Sequence, residues 1–439
     1  MATHSEFLTA LVDALGADRV QVGDTVPARH HTDWSGTPPV PPLALVRPRS
    51  TKEVSALLRL CHAHRVPVVP QGGLTGLAGA AVPCVGGVAL SLERMNAIEA
   101  VDARSATLTV QAGATVQTVQ EAALAVGLQF GVDFGARGSA QVGGAVSTNA
   151  GGNGVLQYGM VREQVLGLEV VLADGTMLPM LRPMLKNNTG YDLKQWFIGA
   201  EGTLGVVTRA LLRLRPLPRA KATALVALSD YDAALALLGR LQGRFPGALS
   251  AFELMWRDFV EASLRWQGLR DALEEVLGEA MEAGEAVDAA IAQSEAQARA
   301  LWKIREATAE LPAHMHPPIN FDVSLPQADI GRFAEECHAA LSTRWPGHTT
   351  VFFGHIGDGN LHLSTDASTV GGEEGAVEEL VYAQVAAFGC SVSAEHGIGL
   401  HKKPYLHASR TPAELSAMRA IKQALDPLHL MNPGKVFDL

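Results

Sequence analysis

The sequence predicts an α+β protein of two domains, and three observations support that prediction. The chain has 439 residues, which is more than one hydrophobic core usually serves. Short apolar runs typical of strands alternate with runs whose apolar residues recur at helical spacing. The segment RPLPRAKA at 215–222 interrupts this alternation with prolines and charges, so we expect the main domain boundary there.

The first half of the chain predicts an α/β arrangement. Ser50, Thr51 and Glu53 are typical of a helix start, and a second helix is expected to end at Gly127. The pair Asp174-Gly175 after an apolar run indicates a hairpin turn. The strand-like segments are LALVRPRS (43–50), VPVVP (66–70), GGVALSL (86–92), ATLTVQAG (106–113) and VLGLEVV (165–171).

The second half predicts an α+β domain with a mostly antiparallel sheet. Its expected strands are ATALVALS (222–229), INFDVSLP (319–326) and TTVFFGHIG (349–357). Its expected helices are residues 230–245, a long Ala/Glu-rich stretch over 269–310, and residues 379–389. A final helix begins near Thr411 and leads into a tail closed by proline.

Composition excludes several classes of protein. A net charge of -10 without a basic stripe argues against a nucleic-acid surface. No apolar run approaches the roughly 18 residues of a membrane span. The first residues predict a short amphipathic helix and lack the features of a signal peptide, and the four cysteines are far apart. We therefore expect a cytoplasmic protein with reduced thiols.

Glycine clusters point to a cofactor. The Rossmann and P-loop fingerprints are absent. Instead, VVPQGGLTGLAGA (68–80) places a Gly-rich loop after a strand, where backbone N–H groups could bind an anion such as a pyrophosphate. By itself this loop is equally compatible with an ordinary turn. A second run, DFGARGSAQVGGAVSTNAGG (133–152), offers small residues against which a flat ring system could lie.

The third run, KNNTGYDLKQWFIGAEGTLGVVT (186–208), completes a recognisable series. In order and spacing the three runs, together with SAEHGIG (393–399), resemble the FAD-linked 2-hydroxy-acid dehydrogenases of the vanillyl-alcohol oxidase superfamily. The resemblance extends from about residue 40 to the end. It implies a two-lobed FAD-binding domain at 1–217, an α+β substrate (cap) domain at 218–412, and a C-terminal segment at 413–439 that returns to the FAD domain.

The resemblance also implies which residues bind FAD. No histidine stands in PQGGLTG, so we expect the FAD to be held non-covalently. Asn432 of MNPGK is expected to lie near the flavin. The expected cofactor-binding residues are Pro70, Gln71, Gly72, Gly73, Leu74, Thr75, Gly76, Gly138, Ser139, Gly143, Gly144, Ser147, Thr148, Asn149, Gly151, Glu201, Gly202, Gly205, Val206 and Asn432.

Two histidines suggest a metal site. His355 and His362 flank the turn-forming residues Ile-Gly-Asp-Gly-Asn, which would bring both imidazoles together. Two histidines are too few for a firm site, and Glu395 could complete it with positions left open for substrate. The resemblance implies the same three ligands. Zinc is favoured and manganese is an alternative; Asp358 is expected to bond local backbone instead.

His396 is the expected catalytic base, because histidine titrates in the useful range and the resemblance assigns it that role. Asn360 is a candidate donor to the substrate carboxylate. The resemblance implies that Arg305 fills the position of a substrate-binding arginine, and a planar bidentate donor suits a carboxylate. Two neighbouring positions depart from the hydroxyglutarate pattern: Ala309 replaces a threonine and Asn320 replaces a lysine.

These residues together predict FAD- and metal-dependent oxidation of a 2-hydroxy acid to the 2-oxo acid, and the resemblance alone implies the D configuration. D-2-hydroxyglutarate is favoured, with D-lactate or glycolate next. The resemblance implies an electron acceptor such as an electron-transfer flavoprotein or a quinone, and a homodimer is an open option. The alternatives are a metal-dependent hydrolase that uses His355, His362 and Glu395, and a flavin-binding module without activity.

Overall fold

The computed structural model describes residues 2–267 and 289–439. The chain divides into two compact units: Met1–Leu217 together with Glu395–Leu439, and Pro218–Ala394. We call these unit 1 and unit 2. The predicted functional domains, with boundaries at 217 and 412, stay a prediction. No helix in the described part of the chain is long and apolar enough to cross a bilayer.

The first sheet of unit 1 contains the strand that leads into the first Gly run. Its strands are β1 (Val20–Gln21), β2 (Ala44–Val46), β3 (Val68–Gln71) and β4 (Val88–Ser91), in the order β1-β2-β4-β3. Strand β4 pairs in parallel with both β2 and β3, which requires crossover connections. The first Gly run therefore follows directly from the end of a buried parallel strand.

The second sheet of unit 1 is antiparallel throughout. It comprises β5 (Ile98–Asp102), β6 (Thr107–Gln111), β8 (Val165–Val171), β9 (Met177–Met180) and β10 (Val206–Arg213), in the order β5-β6-β10-β8-β9. The predicted turn at Asp174-Gly175 joins β8 to β9, with Gly175 at a φ of 83°. A short pair, β7 (Leu128–Gln129) and β11 (Arg215–Pro216), lies outside this sheet.

Helices complete unit 1. They are α1 (Ala2–Leu15), α2 (Thr51–His64), α3 (Val116–Leu124), α4 (Val142–Ser147), α5 (Val155–Tyr158), α6 (Val161–Gln164) and, from the C-terminal segment, α13 (Pro412–Leu425). As predicted, Ser50 caps α2, since its side chain accepts a hydrogen bond from the Glu53 N–H. Buried residues from both sheets and from α1 to α4 share one apolar core.

Unit 2 contains the predicted antiparallel sheet. Its strands are β13 (Glu253–Met255), β15 (Pro318–Ser324), β16 (Thr350–His355) and β17 (Asn360–Asp366), in the order β13-β16-β17-β15. The described helices are α7 (Tyr231–Arg244), α8 (Arg257–Gln267), α9 (Glu295–Arg305), α10 (Leu311–His314), α11 (Ile330–Arg344) and α12 (Glu374–Ala387). Side chains of α8 and of β16 share a small apolar core.

The prediction of one helix over 269–310 is wrong in its middle. Residues 289–291 form a strand, β14 (Ala289–Ile291), which pairs antiparallel with β12 (Ala224–Val226). Hydrogen bonding to a distant strand here overrides the helical propensity of an Ala-rich segment. The predicted helix is confirmed at α9, and its part at 269–288 lies outside the described residues.

Candidate functional site

The hairpin of β16 and β17 brings the two predicted histidines together. His355 is the last residue of β16, and the chain turns over Ile356–Gly359, where Gly359 has a φ of 86°. Asn360 pairs with His355, and His362 pairs with Phe353, so the two histidines are diagonal neighbours on one face of the sheet. Both are buried, and their ring centroids are 5.4 Å apart.

Glu253 stands behind His355. It lies opposite His355 in the β13–β16 pair, and its Oε1 is 2.6 Å from His355 Nδ1. Its other oxygen accepts a hydrogen bond of 2.8 Å from Arg305 Nε. Burial raises the pKa of the Glu253 carboxyl, but His355 and Arg305 outweigh burial and lower that pKa below its usual value. The guanidinium of Arg305 also lies over the Phe353 ring, 4.8 Å from its centroid.

A second acidic residue, Asp322, lies on the other side of the hairpin. It is fully buried and faces His362 across the β15–β17 pair, with its Oδ1 3.8 Å from His362 Nδ1. The predicted substrate donor Asn360 directs its amide hydrogens to Asp322 Oδ1 at 3.0 Å and to Val323 O at 3.1 Å. A donor role toward substrate stays a prediction for Asn360.

The residues after unit 2 carry the other two predicted groups. Ala394, the last residue of unit 2, donates its backbone N–H to Asp322 O at 3.3 Å. Glu395 and His396 follow at once and begin the second segment of unit 1. There, Glu395 Oε1 accepts the backbone N–H of Gly152 at 3.0 Å, which joins this loop to the second Gly run.

The three Gly runs of unit 1 lie against one another through their main chains. A Cβ on Gly73 would lie 2.0 Å from Ser139 O, and one on Gly202 would lie 3.1 Å from Pro70 Cγ. The N–H of Glu201 donates to Ser147 O at 2.8 Å. Glycine is required where backbones approach this closely, so the sequence pattern reflects packing between the runs as well as any cofactor contact.

Several polar side chains of these runs hydrogen-bond within the protein. Gln71 bonds His30 and the carbonyl of Ala81, and Thr148 Oγ1 donates to Gly144 O at 3.1 Å. Asn149 Oδ1 accepts the Arg162 N–H at 3.0 Å. These side chains hold the loops in shape. Whether they also contact a cofactor stays a prediction.

The loops nevertheless retain features suited to a large polar cofactor. A Cβ on Gly144 would meet nothing within 4 Å, which leaves open space beside the main chain of α4. Gln141 Oε1 is buried and has no hydrogen-bond partner in the described part of the chain. A bound group with polar edges would satisfy that atom, so these residues fit the FAD that the sequence implies.

The histidines likewise fit a divalent cation. A metal-binding histidine usually has a carboxylate or carbonyl at its second ring nitrogen, which orients the ring. Glu253 has that relation to His355, and Asp322 lies near His362. Imidazole and carboxylate donors suit zinc or manganese.

Sequence reasoning missed Glu253, Asp322 and Arg162. Arg162 joins the second and third Gly runs, because its backbone N–H donates to Asn149 Oδ1 and its guanidinium donates to Gln195 and to Ile198 O. The available signals were acidic residues inside the apolar segments FELM and INFDVSLP. An acid in such a position is buried only if it is paired.

Comparisons with known proteins identify the fold and the family. Residues 42–180 match the model of an FAD binding domain, and residues 217–436 match that of the C-terminal domain of FAD linked oxidases. A solved structure of alkyldihydroxyacetonephosphate synthase has a TM-score of 0.72 at 18% identity, over 98% of this chain and 84% of that one. The predicted α+β fold with an FAD-binding domain of the vanillyl-alcohol oxidase type is confirmed.

The chain is therefore an FAD-linked oxidoreductase with separate cofactor-binding and C-terminal domains. It belongs to the FAD-linked oxidase family, and its relatives there include proteins named D-2-hydroxyglutarate dehydrogenase. It is 37% identical to that of Stutzerimonas stutzeri, over 92% of this chain and 93% of the relative. It is 38% identical to that of Xanthomonas citri pv. viticola, over 98% and 97%. The mitochondrial protein of Danio rerio is 36% identical, over 92% and 80%.

Proposed function

We propose that this protein oxidises a D-2-hydroxy acid, with D-2-hydroxyglutarate favoured, to the corresponding 2-oxo acid. The observation that carries the proposal is the similarity to proteins named D-2-hydroxyglutarate dehydrogenase along nearly the whole chain. FAD, when bound non-covalently, supplies the acceptor for the hydride that leaves Cα of the substrate. The chain's own residues have to bind the carboxylate, orient the hydroxyl and remove its proton.

Arg305 is the proposed anchor for the substrate carboxylate. Its Nε donates to Glu253, and its guanidinium carbon lies over the Phe353 ring, so the side chain is held before any ligand arrives. The two other guanidinium nitrogens are the donors assigned to the carboxylate. A preorganised planar donor loses less conformational entropy on binding than a free side chain does.

His355, His362 and Glu395 are the proposed ligands of a divalent cation, zinc or manganese. For the two histidines, the proposal rests on the β16–β17 hairpin that brings them together and on Glu253 and Asp322, which lie beside their rings. The hydrogen bond from Ala394 N–H to Asp322 O supports Glu395, because it ties the residue before Glu395 to the cross-strand neighbour of His362. Two imidazoles and a carboxylate are a set of donors that suits such a cation. When bound, the cation makes the substrate hydroxyl more acidic.

His396 is the proposed base that takes the hydroxyl proton, since it follows Glu395 directly and imidazole is the side chain used most often for this task. We further propose an electron-transfer flavoprotein or a quinone as acceptor, a homodimer as the assembly, and a cytoplasmic location. No disulfide joins any of the four cysteines, all of which lie in the described part of the chain, and this is compatible with a reducing compartment.

Another 2-hydroxy acid, such as D-lactate, is the second candidate substrate. The lysine expected for a distal carboxylate is replaced by Asn320, whose Oδ1 accepts a hydrogen bond of 2.7 Å from Ser364 Oγ. Ala309, at the position of the expected threonine, offers no hydroxyl. A neutral pair at this place gives a second carboxylate less stabilisation than a cation would.

Anaerobic reduction of the flavin tests the proposal. The holoenzyme is mixed without oxygen with D- and L-2-hydroxyglutarate, D- and L-lactate, glycolate and malate, and the flavin absorbance is followed. We expect bleaching by a D-2-hydroxy acid, fastest with D-2-hydroxyglutarate. Bleaching that is fastest with D-lactate would favour the second candidate. A flavin that stays oxidised with every acid in the series would refute both.

A further inference from the structure

The loop that carries Glu395 and His396 is held in place by a buried carboxylate that the proposed reaction does not use. Glu201, in the third Gly run, accepts the backbone N–H of Ile398 at 2.7 Å on one oxygen. Its other oxygen accepts the backbone N–H of Gly399 at 2.8 Å. All of these residues belong to unit 1. Hydrogen bonds from backbone N–H groups to a carboxylate are among the stronger ones in proteins.

The loop is pressed closely against this carboxylate. Gly397 has a φ of 80°, and a Cβ there would lie 3.0 Å from Glu201 Cδ. Gly399 has a φ of 51°, and a Cβ there would lie 2.1 Å from Ala78 O in the first Gly run. Glycine is therefore needed twice in EHGIG for both conformation and space. Because the loop is packed this tightly, we expect its backbone conformation to be fixed as long as the Glu201 carboxylate stays in place.

The backbone of Glu201 is itself fixed on two sides. Its N–H donates to Ser147 O in the second Gly run, and its carbonyl accepts Asn432 Nδ2 at 2.7 Å. Its φ is 51°, which is unusual for a residue with a side chain and is kept only where the surroundings enforce it. Glu201 thus joins the second Gly run and the C-terminal tail to the loop of residues 395–399.

We propose that Glu201 is a positioning residue that holds the 395–399 loop in register with the cofactor-binding loops, and that it does not contact FAD. The motif pattern predicts Glu201 to bind the cofactor, but its two oxygens are directed at the backbone N–H groups of Ile398 and Gly399. A buried carboxylate is also a poor neighbour for an anionic pyrophosphate. The inference rests on the proposed function, because the roles of Glu395 and His396 are part of that function.

Two variants and a matched control test this inference. Glu201→Ala removes both acceptors, and Glu201→Gln keeps one acceptor oxygen but opposes the other N–H with an amide. Asp102→Asn is the control, because Asp102 also accepts two backbone N–H groups, those of Arg104 and Ser105, in an unrelated turn of unit 1. The measurements are FAD affinity, the anaerobic rate of flavin reduction at saturating substrate, and hydrogen exchange of the peptide spanning residues 395–400.

We expect Glu201→Ala to retain FAD, to exchange the amides of Ile398 and Gly399 faster, and to reduce flavin about 100-fold more slowly, the scale of a small misplacement in an active site. Glu201→Gln should fall between it and the unaltered protein, and Asp102→Asn should match the unaltered protein. If Glu201→Ala fails to fold, the Gln variant decides.

Unchanged reduction and unchanged exchange, or loss of FAD in parallel with activity, would overturn the positioning role. A failure of the proposed function has another signature: the unaltered protein would not be reduced by any hydroxy acid. Hydrogen exchange would then still report whether Glu201 holds the loop.

Discussion

Among single residues, Glu253 is the side chain on which two others of the candidate site depend. One of its oxygens bonds His355 and the other bonds Arg305, so it orients a proposed metal ligand and a proposed substrate anchor together. The pair of Glu253 with Arg305 is nearly buried, with side-chain exposures of 10% and 11%. Removing one partner of such a pair leaves the other charge without compensation.

Glu253→Gln should therefore weaken metal binding and substrate binding at once. Loss of an outer partner of a metal-binding histidine typically costs about 10- to 100-fold in affinity, and we expect a loss in that range for zinc. A competitive chelator titration measures it, and KM for the hydroxy acid should rise in parallel. Glu261→Gln is the control, since the ion pair of Glu261 with Arg257 on α8 is exposed to solvent. Equal zinc affinity in both variants would contradict the prediction.

Asn320→Lys tests the basis of substrate choice. A charge-assisted hydrogen bond is worth about 1.5–3 kcal/mol, so a cation here should raise kcat/KM for D-2-hydroxyglutarate over D-lactate by tenfold or more. Asn320→Gln keeps the position polar without a charge and serves as the comparison. The measurement is the ratio of the two kcat/KM values. An unchanged ratio in the lysine variant would show that residue 320 does not face the distal end of the substrate.

At the scale of elements, two features position the proposed site residues. They are the hairpin of β16 and β17 and the packed Gly runs. The hairpin places His355 and His362 on one face of the sheet because residues in antiparallel pairs two positions apart share a face. The Gly runs approach one another through main chain. Side chains added there would separate the loops.

Gly73→Ala should abolish FAD binding. The added methyl would lie 2.0 Å from Ser139 O, so the first and second Gly runs would have to move apart. Gly135→Ala is the matched control in the second run, because nothing lies within 4 Å of a Cβ there. Flavin absorbance per protein after purification is the measurement. Full FAD occupancy in the Gly73 variant would show that the loops yield without losing the cofactor.

At the scale of the whole molecule, each unit has a buried apolar core of its own. Unit 1 holds the Gly runs together with Glu395 and His396, and unit 2 holds the β16–β17 hairpin and Arg305. The proposed reaction needs residues from both units, whereas FAD retention needs the Gly runs. A treatment that affects only part of the site should therefore change the rate of turnover without releasing FAD.

Metal removal is the treatment that distinguishes them. After chelation and dialysis we expect the flavin absorbance to persist while its reduction by the hydroxy acid is lost. Added zinc or manganese should restore reduction. Dialysis without chelator is the control. A full reduction rate in the chelated protein would refute the metal-dependent part of the proposal.

Local patterns sufficed for much of the fold and for part of the site. The cap at Ser50, the Asp174-Gly175 turn and the His355–His362 hairpin are all predictable, because each depends on residues close together in sequence. Glu253 was not predictable as the partner of His355, since the two are 102 residues apart and meet only through the β13–β16 pairing. Strand β14 was missed for the same reason, because its partner β12 lies far away in the chain.

The sequence by itself determined the class of protein and the FAD cofactor, and it supplied the proposed metal ligands. Short motifs carry those features, because glycine, histidine and acidic residues at such spacings serve only a few kinds of chemistry. Only the tertiary structure decided what the supporting acids do. Glu253 bonds two site residues, Asp322 lies beside His362, and Glu201 bonds the loop after His396. A buried carboxylate acquires its role from the donors that surround it, and the folded chain brings those donors from distant positions.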